Sequence, residues 1–109
     1  MKKHTLFEKK GINRIIFSEE FPLRVIESYL PRGPTNESPH KHPQDIECYF
    51  VLAGEIILEV EGKKYPLKKG ELSVVLQGEN HRIVEVKKTT KIIVVRSRKG
   101  KIERIPPKV

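Results

Sequence analysis

The sequence predicts an all-β domain, folded as an antiparallel barrel or a sandwich. Composition carries part of that expectation: the 109 residues hold 8 prolines and 7 glycines among short runs of Val, Ile and Leu, the pattern of many short strands and tight turns. Periodicity carries the rest. Apolar residues alternate with polar ones as on half-buried strands, and no segment shows a convincing helical period. About eight short strands follow from that reading. A chain of this length has room for one modest core, so residues 1–109 are expected to form a single domain.

Taken in order, residues 1–11 are polar and lysine-rich and are expected to fray or lie along an edge, with His4 facing solvent. Residues 13–17 and 24–30 read as strands on either side of the polar turn Ser18-Glu19-Glu20, and Pro31-Arg32-Gly33-Pro34 closes the second. A loop over residues 35–38 leads to His40 and His42, bracketed by Pro39 and Pro43, whose missing N–H groups prevent a regular ladder there. A meander follows. Residues 47–52 and 55–60 are read as two strands joined by a tight hairpin at Ala53-Gly54, and Glu61-Gly62 makes a second hairpin into residues 63–67. Within residues 55–60, Ile56, Leu58 and Val60 share one face and Glu55 and Glu59 the other, as on a strand with one side in the core. Lys68-Lys69-Gly70 turns into residues 72–76, the loop Gln77-Gly78-Glu79-Asn80 leads into residues 81–86, and a last strand covers residues 91–97. The basic residues 98–109, with Pro106-Pro107, are read as a tail.

The formal charge is +8. Lys and Arg are dispersed through every segment and interleaved with Glu, without the basic run or aromatic platform that single-stranded nucleic acid prefers, so nucleic acid is not expected as a partner. A small anionic ligand suits the charge better, through electrostatic steering. Asp45 is the only aspartate, and a Lys- and Glu-rich balance of this kind is thermophile-like. No apolar stretch approaches the ~18 residues of a membrane span, and Met1-Lys2-Lys3-His4 is followed by no apolar signal-peptide core, so a cytoplasmic location is expected. The single cysteine, Cys48, cannot pair within the chain, which agrees with a reducing compartment; it is expected to pack as a small core residue.

Chemistry concentrates between Gly33 and Gly54. His40 and His42, two apart on an extended segment, point the same way with α-carbons roughly 6.5 Å apart, so both imidazoles can serve one ion. Glu47 follows His42 at an odd step, which unbroken alternation would send to the opposite face. The turn at Pro43-Gln44-Asp45 interrupts that alternation and lets Glu47 open a new strand on the histidines' side. Cys48 then faces away. Absent a metal, the same histidines are exposed loop residues and Glu47 a solvated strand residue.

These residues resemble the first motif of the cupins: a glycine, His-x-His, a glutamate and a closing glycine, matched by Gly33, His40, His42, Glu47 and Gly54 with one extra residue after Gly33. The second cupin motif is matched by Gly70, Gly78 and His81, with Leu76 where proline is expected and Glu85 where asparagine is expected. The resemblance implies a double-stranded β-helix, or jelly-roll, barrel that holds a metal through His40, His42, Glu47 and His81. Three imidazoles and one carboxylate suit Mn, Fe, Co, Ni, Cu or Zn better than Ca, and an octahedral ion would keep two positions for water or ligand. The resemblance further implies a small oxygenated metabolite as ligand and an isomerase, dioxygenase, decarboxylase or lyase type of reaction; the alternative is a metal and small-ligand binding module without turnover. A third class, an interaction protein bound through its basic surface, would act independently of the four ligands. Strand parity places Tyr49 beside Glu47, and Glu85 on the face of His81 and Ile83, so both are candidates at the cavity, as a hydrogen-bond donor and a general acid or base; core packing with a satisfied hydroxyl is the default for Tyr49, and pairing with a Lys or Arg from another strand the alternative for Glu85. Arg24 could meet an anionic substrate, with a surface position as the default. Long strand edges imply a homodimer.

Overall fold

The computed structural model describes residues 14–17, 23–43 and 45–97. His4 with residues 1–11, the turn at Ser18-Glu19-Glu20, Gln44 and the tail 98–109 lie outside the described residues. Among those described, seven strands form: β1 (Arg14–Phe17), β2 (Leu23–Leu30), β3 (Gly33–Pro34), β4 (Glu47–Val60), β5 (Lys63–Lys68), β6 (Leu72–Val75) and β7 (His81–Ser97). Every pairing is antiparallel. No helix of the described residues is long and apolar enough to cross a membrane.

The two long strands β4 and β7 make the spine. They pair from Glu47 opposite Arg96 to Val60 opposite His81. One half of this ladder is flanked by β6 and by β2, with β1 beyond; the other half is flanked by β5 and β3. A straight 14-residue strand such as β4 would span roughly 45 Å. Here the ladder folds over, so that its two halves face each other.

The expected hairpin at Ala53-Gly54 does not form. A two-residue hairpin of type I′ needs positive φ at both central residues, and of this pair only Gly54 has it, at 93°. At Glu61-Gly62 both angles are positive, 51° and 79°, and there the chain does reverse. Around Gly54 it instead bends and continues, with register shifts from Val51 to Ile56 that exchange the inward-facing set from Glu47, Tyr49 and Val51 to Ile56 and Leu58. Residues 81–86 and 91–97, read as separate strands, are likewise one continuous β7.

The bend requires glycine for a second reason. A Cβ on Gly54 would lie 2.3 Å from Thr90 Oγ1 and 2.5 Å from the Thr89 carbonyl oxygen, so β4 and β7 can approach this closely only without a side chain. Thr90 is fully buried; its hydroxyl donates to the Lys88 carbonyl at 2.6 Å and accepts from the Glu55 N–H at 3.0 Å. The turn between β5 and β6 satisfies the outer backbone groups at the bend. Lys69 and Gly70 donate to the Gly54 and Val51 carbonyls, and Val51 donates to Glu71.

Tyr49, Val51, Val75, Ile92 and Val94 from one half pack against Ile56, Leu58, Leu67, Ile83 and Val86 from the other. Burying each of the larger aliphatic chains contributes about 2 kcal/mol. Outside, Leu72, Val74 and Leu76 around β6 are about half exposed, and Ile46, just before β4, and Leu52 on it are exposed.

Gly54→Ala is expected to cost more than about 3 kcal/mol, because backbone overlap adds to the φ penalty. Gly62→Ala, with open space around its Cβ, should cost about 1 kcal/mol. Chemical denaturation of both variants measures the gap; equal costs would show that Gly54 is not held against Thr90.

Candidate metal centre

Folding the ladder over brings its opposite ends together. Glu47 opens β4 and His81 opens β7, yet Glu47 Oε1 lies 2.7 Å from His81 Nε2. His40 joins them through the backbone. Its N–H donates to the His81 carbonyl at 3.0 Å, and the His81 N–H donates back at 2.8 Å. The segment before it is tied to the same strand: Thr35 donates through its hydroxyl to the Ile83 carbonyl, and Glu37 Oε1 accepts from the Ile83 N–H at 2.6 Å. His42 is held from the other side, its carbonyl accepting from the Gly78 N–H at 3.0 Å. That loop tolerates Leu76 in place of proline because Glu79 Oε1 accepts from the Leu76 N–H at 2.8 Å, a bond proline could not make.

The four side chains form a cluster able to hold a metal ion. One ligand atom from each of His40, His42, Glu47 and His81 lies within 4.8 Å of all the others. Donors at ~2.1 Å from a shared ion sit roughly 3.0 Å apart when adjacent and roughly 4.2 Å apart when opposite. The 3.7 Å from Glu47 Oε1 to His42 Nε2 falls in that range, and the 2.7 Å to His81 Nε2 lies just below it, at hydrogen-bond length. The outer nitrogens complete the fit. Nδ1 of His40 is 3.1 Å from the Ser38 carbonyl, and Nδ1 of His81 is 3.0 Å from the Glu79 carbonyl. A carbonyl only accepts, so each Nδ1 carries a proton and each neutral ring turns its Nε2 lone pair to the centre.

Without an ion, two acceptors 2.7 Å apart need a proton between them. Burial pushes the His81 imidazole down, but the hydrogen bond to Glu47, the bond to the Glu79 carbonyl and the Glu47 charge together hold its pKa above 6.5. For Glu47, burial pushes up, and the His81 hydrogen bond with the charges of His42 and His81 outweighs it, leaving the carboxyl below 4.5. His42 lies below its ordinary value, chiefly through burial, with Arg96 and the neighbouring imidazoles adding to it against the pull of Glu47. Tyr49 donates its hydroxyl to Glu47 Oε1 at 3.2 Å. Burial and the Glu47 charge push this phenol far above its usual range, so it remains a donor.

A cavity of about 340 Å³ adjoins the cluster. Tyr49, Ile83, Ile92 and Val94 give it an apolar wall, while Arg24, Arg96, Ser28 and Glu37 add polar groups. Parity over the first residues of β4 holds: Cys48 faces away from Glu47 and is outside the cluster. It is half-buried rather than a core residue, and burial, then the Glu47 charge, raises its thiol pKa.

Glu85 does not reach the cavity, contrary to the parity reading. Ile83 pairs with Leu58 and Glu85 with Ile57, so Val84 is the extra residue of a bulge. The inward set passes from Ile83 to Val86, and Glu85 is left partly exposed, 3.8 Å from Lys87 Nζ. Arg96 was not foreseen. It stands on β7 two residues beyond the inward Ile92 and Val94, and an arginine continuing an apolar face is the signal that marks it.

A sequence profile of the cupin domain family matches residues 25–96. The chain is 37% identical over 54 residues to an oxalate-binding protein of Thermotoga maritima; the match covers 50% of this chain and only 44% of that protein's length. It is 28% identical over 83 residues to the pectin degradation protein KdgF of Dickeya dadantii, covering 76% of this chain and 74% of that protein. The crystal structure of a cupin protein from Bacteroides fragilis superposes with a TM-score of 0.77 at 16% identity, covering 99% of this chain and 90% of that one, which speaks for the fold alone.

In metal-free protein the Glu47–His81 pair sets a pH window. The raised His81 contributes stability that is fully present below pH 6.5 and is lost as pH rises through its folded value; the lowered Glu47 contributes stability present above pH 4.5 and lost as pH falls through its own. Glu47→Gln should therefore cost about 2 kcal/mol near pH 5.5 and less at pH 8. Denaturation of both proteins across pH 4 to 8 tests this, and a cost that does not vary with pH contradicts it.

Proposed function

We propose that this chain, which belongs to the cupin domain family, holds one divalent transition-metal ion through His40, His42, Glu47 and His81 and acts on a small oxygenated metabolite in the adjoining cavity. The observation that carries this reading is the convergence of the four ligand atoms within 4.8 Å, with the outer nitrogens of His40 and His81 already committed to carbonyls. When bound, the ion supplies Lewis acidity at open coordination positions. The protein's own groups do the rest. Tyr49 fixes the Glu47 carboxylate with a hydroxyl that stays protonated, and the wall of Ile83, Ile92 and Val94 limits water around the ligand.

A second reading, a metal and small-ligand binding module without turnover, draws on the same polar groups. Tyr49 already donates to Glu47, and Glu37 already accepts from Ile83. Neither is placed to shuttle a proton unless the ligand displaces its partner. The Thermotoga maritima relative, named for binding oxalate, agrees with this reading, and the Dickeya dadantii relative, named for pectin degradation, agrees with the first. The partly exposed apolar chains of Leu72, Val74 and Leu76 support a homodimer. Metal-dependent turnover of small oxo-acids or sugars, abolished by chelation and restored by the ion, separates the two readings; binding without turnover selects the module.

His81→Ala should lower metal affinity by more than about tenfold, since even partners of metal ligands are worth 10–100-fold. Cys48→Ser should leave it unchanged. Elemental analysis and metal titration of the folded variants measure both. Equal metal content in wild type and His81→Ala would remove His81 from the site, and loss of metal in Cys48→Ser would show the strand parity to be wrong.

A further inference from the structure

The cavity carries more positive charge than its metal ligands explain. Arg24 and Arg96 are direct partners on the adjacent strands β2 and β7, and both line it. Like charges placed opposite one another on a sheet destabilise it unless something lies between or beside them. Arg96 has partial compensation: its Nε lies 3.6 Å from Asp45 Oδ2. Among the described residues, no carboxylate pairs with Arg24.

Arg96 also faces the metal cluster. Its Nη1 lies 3.2 Å from each ring nitrogen of His42. A neutral imidazole has one lone pair, and it is the lone pair a metal would use. Equidistant from both nitrogens, Nη1 lies over the ring and not on a lone pair, and once His42 is a ligand its other nitrogen is an N–H, so Arg96 has no acceptor there. Its Nη1 edge is then free to donate to whatever occupies the cavity.

We propose that Arg24 and Arg96 form a carboxylate subsite beside the metal, and that the ligand is a small organic acid bearing a second oxygen function that reaches the ion. The inference rests on the metal reading above. Charge favours it. With a divalent ion and two guanidiniums set against Glu47, Glu37 and Asp45, the pocket is net positive, and its apolar walls strengthen each remaining interaction. Two guanidiniums side by side present the paired donors that a planar carboxylate accepts, and a neutral sugar would leave them without a counter-charge. A volume of about 340 Å³ lies at the small end of ligand pockets, in keeping with a compact acid.

The test centres on Arg24, because changing Arg96 would also disturb His42. Pyruvate, malonate and succinate are titrated calorimetrically into zinc-loaded wild type, Arg24→Gln and Arg24→Lys, with pyruvamide as the uncharged counterpart of pyruvate. Zinc content and thermal unfolding are checked in each. At least one of the acids should bind wild type and weaken by tenfold or more in Arg24→Gln. Arg24→Lys, which keeps the charge but loses the planar fork, should fall between the two, and it carries the test if Arg24→Gln does not fold. Pyruvamide should bind weakly and equally to all three. Acids that bind zinc-loaded protein irrespective of residue 24, or that bind no better than the amide, overturn the subsite and leave the metal reading standing. Arg24-dependent binding of unchanged affinity in zinc-free protein keeps the arginine pair and overturns the ligand's contact with the ion, whereas folded wild type that takes up no zinc removes the metal reading itself.

Discussion

The structure depends on one close approach, that of Gly54 to Thr90. Two strands of this length, paired along their entire extent, would otherwise make a flat ribbon with Glu47 and His81 at opposite ends. The bend at Gly54, matched on β7 by the buried Thr90, folds the ribbon so that its inner faces become one core and its ends become one site. The same local feature therefore serves stability and chemistry. A side chain at residue 54 would separate the strands at the point where the halves must turn toward each other.

The site built at the far end is not self-sufficient electrostatically. Three imidazoles and a carboxylate packed together repel when all the rings are charged, and their lone pairs repel when none is. The Glu47–His81 contact resolves this with a proton; an ion among the four would resolve it by accepting every lone pair at once. Protons and metal thus compete for one position, and metal affinity inherits the pH dependence of the histidines. The backbone bridge between His40 and His81 holds their α-carbons together, and the Nδ1 contacts to the Ser38 and Glu79 carbonyls hold both rings toward the centre.

Much of this was legible in the sequence, and the failures share a cause. Alternation identified the inward residues Tyr49, Ile56 and Leu58, and the spacing of His40, His42, Glu47 and His81 to known motifs anticipated the cluster. Alternation assumes unbroken register, and bulges break it. At Val84 a bulge turned Glu85 out and Val86 in; at Gly54 a change of phase was read as a reversal of direction. The absence of positive φ at Ala53 is what separates the two cases, and an alanine preceding the glycine is a legible hint, since alanine resists the left-handed region that Glu61 adopts. Arg96 was missed for a different reason: the last strand was read for its apolar run, not for the charged residue that continues it.

The account's central claim is that folding the ladder gathers three histidines and one glutamate around a single ion. X-ray absorption at the cobalt edge of protein loaded with one equivalent of Co(II) tests it most directly, because imidazole rings give a distinctive multiple-scattering pattern that can be counted. The account predicts three imidazole nitrogens, with the remaining ligands oxygen and no sulfur. One imidazole or none, in protein that is folded and fully loaded, would contradict it.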